Sequence, residues 1–225
     1  MRYRLFPLIA LLTLVSIASG ADSSFVVEDW SRQKVGTKGI PDGWKGGQTW
    51  GTPKHDFAIE DTDGRRVLHL RSVNESSAVS KDIKGKVNLK DTPMLEWSWK
   101  VVGLPKGADS RKKATDDQAA QIYVVWPRFP QPVRSRIIGY VWDTSAPAGT
   151  IVKSEKTSTV TYVIVRSGMT DLGKWFTETR NVRDDFKKIY GEEPDEPGAI
   201  SIAIDSDDTN STAESFIGSL VFRKL

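Results

Sequence analysis

The stretch "MLEWSWKVV", residues 94–102, decides the fold. Leu95, Trp97, Trp99 and Val101 fall on every second position, with Met94, Glu96, Ser98 and Lys100 between them. A period of two is that of a strand with one buried face, whereas an amphipathic helix repeats every 3.6 residues. Runs of the same kind lie on both sides of it: "SFVVEDW", "HDFAIE", "RVLHLRSV" and "SAVSKDI" before, and "QAAQIYVVW", "RIIGYVW", "STVTYVIVRS", "WFTETRNV", "AISIAID" and "SFIGSLVF" after. Glycine, proline, asparagine and aspartate clusters such as "KGIPDGWKGG", "DTDGRR" and "SAPAG" separate them and mark turns. Roughly ten short strands with this punctuation predict an all-β chain folded as a two-sheet β-sandwich or jelly roll.

One segment has another rhythm. In "NVRDDFKKIYGEEP" the apolar residues Val182, Phe186, Ile189 and Tyr190 recur at helical spacing, Asn181 stands where a cap would, and Gly191 and Pro194 supply a stop. A single short helix is expected over residues 182–190. Asp184 and Asp185 then occupy its first turn, where the helix dipole favours acids.

The first twenty residues are expected to be a secretory signal peptide. Arg2 and Arg4 precede an apolar run from Leu5 to Val15, followed by the small residues Ala18, Ser19 and Gly20. Residues 21–225 would then form one β-sandwich domain, periplasmic or secreted, with no membrane span after signal removal, since no second apolar stretch approaches the roughly 20 residues a spanning helix needs. The chain contains no cysteine, which excludes disulfides and thiolate chemistry. Removal of two arginines leaves 30 basic against 29 acidic residues, interleaved along the chain. Nucleic acid is therefore excluded as an expected partner, because neither a basic stripe nor a polybasic tail is present.

The blocks "PDGW", "LEWSWKVVGLPKGAD", "DDQAAQIYVVW", "IGYVWD", "SGMTDLGKWFTETRNVRDDFKKIYGEEP" and "IAIDSDDTNSTAESFIGSLVF" occur in an order that resembles the bacterial domain of unknown function family numbered 3047. The resemblance spans nearly the whole chain after residue 20 and implies an exported β-sandwich without an assigned activity. Asp116, Asp117, Asp205, Asp207 and Thr209 fall in the motifs that carry it. The Gly/Pro-Trp opening followed by paired sheets is also similar to jelly-roll carbohydrate-binding modules, a likeness of fold, which does not fix function.

Chemistry narrows by elimination. Only two histidines are present, His55 and His69, and neither has an acid, serine or third histidine at a metal-site or triad spacing. No catalytic residue is assigned. Eight tryptophans exceed what packing a domain of this size requires, and flat aromatic faces beside polar groups are how sugar rings are gripped. Trp97, Trp99 and Trp126 are expected in the core. Trp44 and Trp50, in the glycine-rich "PDGWKGGQTWG", are expected to be partly exposed and to touch ligand. Tyr140 and Trp142 alternate onto one side of their strand and Gln121 and Tyr123 onto one side of theirs. These four, with Asp116 and Asp117 at the end of the long polar loop 104–118, make a shared ligand-facing surface.

"AISIAIDSDDTNST", residues 199–212, runs from a buried strand into Asp205, Asp207 and Asp208. Like charges so close call for a cation, backbone N–H donors or water. The spacing departs from an EF-hand at Asn210 and Phe216, so either a structural calcium on Asp205, Asp207 and Asp208 or an Asx-rich turn is expected. The sequence thus points to non-catalytic binding of a glycan or another cell-envelope ligand. A carboxylate-dependent polysaccharide hydrolase or lyase and a structural envelope assembly partner stand as alternatives.

Overall fold

The computed structural model describes residues 24–47 and 53–225. The expected signal peptide, residues 1–20, and Trp50 lie outside the described residues. In chain order the elements are β1 (Phe25–Glu28), β2 (Lys45–Gly46), β3 (Asp56–Thr62), β4 (Arg65–Val73), β5 (Ser76–Asp82), β6 (Met94–Gly103), β7 (Ala120–Trp126), α1 (Gln131–Arg134), β8 (Arg136–Asp143), β9 (Ile151–Lys153), β10 (Val160–Ser167), β11 (Phe176–Asn181), α2 (Val182–Tyr190), β12 (Ala199–Asp205) and β13 (Thr212–Arg223), with a single 3-10 turn at Lys113–Thr115. The expected all-β sandwich is the fold found.

One sheet has the order β11-β6-β13-β4-β3, with β1 also paired to β13; the other has the order β2-β5-β12-β7-β8-β10-β9. All pairs are antiparallel except β8 and β10, which run parallel and are connected through β9. The hairpin between β3 and β4 turns on Asp63 and Gly64, both with positive φ, 51° and 74°. An Asp-Gly pair suits such a turn, because its backbone twist matches that of the flanking strands.

The core lies between the sheets. Leu95, Trp97, Trp99 and Val101 are fully buried, as their alternation requires, and face Ile122, Val124, Ile200, Ile202 and Ile204 of the other sheet. Three aromatic pairs bridge the layers: Trp97 stacks on Tyr140 at 5.3 Å, Trp99 meets Trp142 at 6.0 Å, and Trp142 meets Phe176 at 5.8 Å. The helix α2 covers one end, with Phe186 4.7 Å from Trp126. Its limits are those read from sequence: the Asn181 side chain accepts from the Asp184 N–H at 3.1 Å, and Gly191 closes it in the left-handed conformation. Asp185 does more than favour the dipole. It is buried, accepts the Tyr140 hydroxyl at 2.9 Å and pairs with the Arg180 guanidinium. Among the described residues no helix is long and apolar enough to cross a membrane.

Candidate functional site

The register separates residues that the sequence reading put on one surface. Tyr140 of β8 pairs with Ile122 of β7, while Tyr123 pairs with Gly139 and Gln121 with Val141. Paired residues share a face, so Tyr140 and Trp142 point into the core and are fully buried. Gln121 and Tyr123 point to the outer face of the seven-stranded sheet. The expected common surface of these four is therefore corrected. Trp44 is corrected as well: it is 5% exposed, stacked on Trp30 at 5.7 Å, with its indole N–H donated to Glu28. Its loop has little apolar of its own, but it folds back so that Trp30 supplies the partner.

The outer face of the seven-stranded sheet carries a row in which two tyrosines stand among small residues. Ser80, Ser201, Tyr123, Gly139 and Tyr162 lie side by side across five strands, with Ala78, Ala203, Gln121 and Val141 in the adjoining row. Ser80 and Ser201 are partly exposed and their hydroxyls meet at 3.1 Å. Tyr123 and Tyr162 close over Gly139 from either side: a Cβ at Gly139 would lie 2.7 Å from the Tyr123 ring and 3.0 Å from that of Tyr162. Only glycine leaves room for both rings.

A chain of hydrogen bonds runs inward from Tyr123. Its hydroxyl donates to Gln121 Oε1 at 2.6 Å, Gln121 Nε2 donates to Gln118 Oε1 at 2.6 Å, and Gln118 Nε2 donates to Asp116 Oδ1 at 2.7 Å and to Ser110 Oγ at 3.0 Å. Ser110 in turn donates to Asp143. Asp116 also accepts from Ser154 at 2.8 Å and from Tyr162 at 3.3 Å. The carboxylate fixes every donor in the chain. Asp116 accepts, so Gln118 must turn its NH₂ toward it, which leaves the Gln118 oxygen for Gln121 and the Gln121 oxygen for Tyr123. The Tyr123 proton is thereby used, so any further hydrogen bond to this hydroxyl is one that it accepts. Burial pushes the Asp116 carboxyl above its ordinary value in spite of its three donors, and burial, then the charge of Asp116, pushes the Tyr123 phenol up.

Beside this chain lies the acidic loop. Asp117 is fully buried; Oδ1 accepts the Asp208 N–H at 3.1 Å, and Oδ2 accepts the Thr209 N–H at 2.7 Å and its hydroxyl at 2.6 Å. Carboxylate oxygens of Asp117, Asp205 and Asp207 lie within 4.8 Å of one another, a group that could hold a metal. Asp208, expected in that set, instead pairs with Lys156 at 2.6 Å, and Asp117 takes its place. Lys156 also reaches Asp207 at 3.4 Å. Burial, then the charges of Asp207 and Asp117, raise the Asp205 carboxyl to about 9, so it holds its proton at neutral pH. A proton, a lysine and three donors from the 208–209 segment thus compensate the acids. Lys156, Ser154 and Tyr162 carry no sign of this role in the sequence; the first two arrive from the loop between β9 and β10, and Tyr162 from β10.

The family model described as "Protein of unknown function (DUF3047)" matches residues 42–221, and the chain belongs to that family. No curated protein matches the chain. Among solved structures it is similar to a family 11 carbohydrate-binding module from Clostridium thermocellum in complex with a beta-1,3-1,4-mixed-linked tetrasaccharide, with 9% identity, 89% of this chain and 95% of that one covered, and a TM-score of 0.47. It is also similar to the CBM22-1 xylan-binding domain from Paenibacillus barcinonensis, with 12% identity, 91% and 97% covered and a TM-score of 0.42. A third is the xyloglucanase domain of a type three effector from Sinorhizobium fredii, with 12% identity, 81% and 95% covered and a TM-score of 0.42. These likenesses span binding domains and a hydrolase, and they carry no assignment of ligand.

Proposed function

We propose that this member of the DUF3047 family is an exported, non-catalytic binding module for a glycan of the cell envelope, delivered by the leader over residues 1–20. The ligand would lie on the outer face of the seven-stranded sheet, between Tyr123 and the small residues of β5 and β12. The observation that carries the reading is Tyr123, half-buried on a glycine floor, with its proton committed inward. A sugar offers C–H faces that stack on an aromatic ring and hydroxyls that donate to a fixed acceptor. Ser80 and Ser201 supply further hydroxyl partners, and the low floor of alanine and serine lets a ring approach the sheet.

The acidic loop serves this reading as a shape-holding element. Ca²⁺ suits Asp117, Asp205 and Asp207 because it takes carboxylate oxygens at variable geometry, and its binding would displace the proton of Asp205. A hydrolase reading draws on one specific observation, the protonated Asp205 beside Asp207, the pairing of an acid with a carboxylate that glycoside hydrolysis uses. Their spacing is short even for a retaining pair, whose carboxyl groups stand about 5–5.5 Å apart, and the binding reading is preferred.

The test is a glycan-array screen of the mature protein with and without chelator, followed by titration of each hit against Tyr123→Ala and Tyr123→Phe. Binding that survives in Tyr123→Phe at reduced strength and is lost in Tyr123→Ala supports the site. Absence of any glycan ligand, or equal affinity in Tyr123→Ala, overturns it. Release of new reducing ends from a bound glycan favours the hydrolase.

A further inference from the structure

The segment 153–159, which sends Ser154 to Asp116 and Lys156 to the acidic loop, also borders a cavity. That cavity, of about 480 Å³, opens between β9, the start of β10, the 133–136 segment and the last turn of α2. Arg134, Arg136, Lys153 and Lys188 line it, together with the hydroxyl residues Ser158 and Thr159, and no aspartate or glutamate does. Arg136 pairs with Glu192 outside the cavity and is held by stacking over Tyr190 at 4.7 Å and Phe186 at 5.5 Å. Among the described residues no carboxylate pairs with Arg134, Lys153 or Lys188. Arg134, Lys153 and Lys188 come from three separate elements, all three are exposed, and no acid stands among the residues that line the cavity with them.

We propose that this cavity binds a phosphate ester group. Arg134 donates to the Phe129 carbonyl at 3.3 Å, but among the described residues none of Arg134, Lys153 and Lys188 has a carboxylate, so a ligand with up to two negative charges compensates them better than a carboxylate with one. A tetrahedral phosphate presents enough oxygens for a guanidinium, two ammonium groups and two hydroxyls at once. The same chemistry is offered by a soluble phosphate ester and by a phospholipid headgroup. Phe129 and Val133, 87% and 69% exposed, stand on the segment that leads into the cavity. Apolar side chains beside cations are the pattern of a surface that meets an anionic bilayer, so both sources enter the test.

Purified mature protein is titrated calorimetrically with sn-glycerol 3-phosphate at low ionic strength, and cosedimented with phosphatidylglycerol or phosphatidylcholine vesicles. The double variant Lys153→Met/Lys188→Met and the single variant Arg134→Gln alter exposed side chains, so their melting curves should match that of the wild type. Affinity should drop at least about tenfold in the double variant, the scale of losing charge-assisted contacts. Retention on phosphatidylglycerol alone, lost in the double variant and in Phe129→Ser, identifies the headgroup as the source. Binding of glycerol phosphate without vesicle retention identifies a soluble ester. Failure to bind either, equal affinity in the cation variants, or displacement by glucuronate as effective as by phosphate ester overturns the proposal.

Discussion

Replacing Asp205 by asparagine should change the pH dependence of stability in a direction fixed by its surroundings. The Asp205 carboxyl ionises near 9 when folded and near 3.8 when it is free, because burial, Asp207 and Asp117 disfavour its charge. Between those values the folded protein holds one proton more than the unfolded chain. A raised carboxyl therefore stabilises least at high pH: stability falls as pH rises, by about 1.4 kcal/mol per unit. From pH 5 to pH 7 the loss is about 2.7 kcal/mol, or roughly 5–10 °C in Tm for a domain of this size. Asparagine keeps the shape and cannot ionise, so this slope disappears. Tm is measured for wild type and Asp205→Asn at both pH values in the presence of chelator, and the difference between the two proteins is compared. Other titrating groups cancel in that difference. Asp205→Asn should gain on the wild type by roughly 5–10 °C between pH 5 and pH 7, and a difference that does not change with pH would refute the reasoning.

Three further outcomes are expected. Calcium should raise the Tm of the wild type at pH 7, by up to about 2.7 kcal/mol at a hundredfold excess over its dissociation constant, and less in Asp207→Asn; melts unmoved by calcium or chelator exclude a stabilising site. Tyr140→Phe should lose about 1–3 kcal/mol in urea denaturation, because Asp185 would keep its burial and its pairing with Arg180 but lose a buried donor. Trp44→Ala should cost about 3–5 kcal/mol in the same assay, as a core tryptophan does, and a loss below about 1 kcal/mol would mean that its stacking on Trp30 contributes little.

The features legible in the sequence are those set by neighbours along the chain. The alternation of β6, the Asn181 and Gly191 limits of α2 and the Asp-Gly hairpin each depend on residues within a few positions. Strands β2 and β9 hold two and three residues, too few for a period to show. Alternation told correctly that Tyr140 and Trp142 share a side, and Gln121 and Tyr123 another. It could not tell which side is inward, since a slip of one residue in the pairing of β7 with β8 exchanges the faces. Trp44 was misjudged for a related reason: its partner Trp30 is itself fixed by donating to the Gly218 carbonyl, 188 residues farther on. At the acidic loop, composition named the carboxylates, but the direction of the backbone decided that Asp117 joins Asp205 and Asp207 while Asp208 turns to Lys156.

The strand order also governs when the molecule can assemble. In one sheet β12 lies between β5 and β7; in the other β13 separates β6 from β4 and β1. A chain that emerges or is threaded amino end first has therefore presented eleven strands before either sheet has its middle. Until residues 199–223 arrive, β5, β7, β4 and β6 each carry an edge of unpaired N–H and C=O groups, the kind of edge on which other chains add. Their completion waits on contacts of very long sequence separation, which form slowly. Residues 199–223 therefore close both sheets in one late step, covering four open strand edges with two strands.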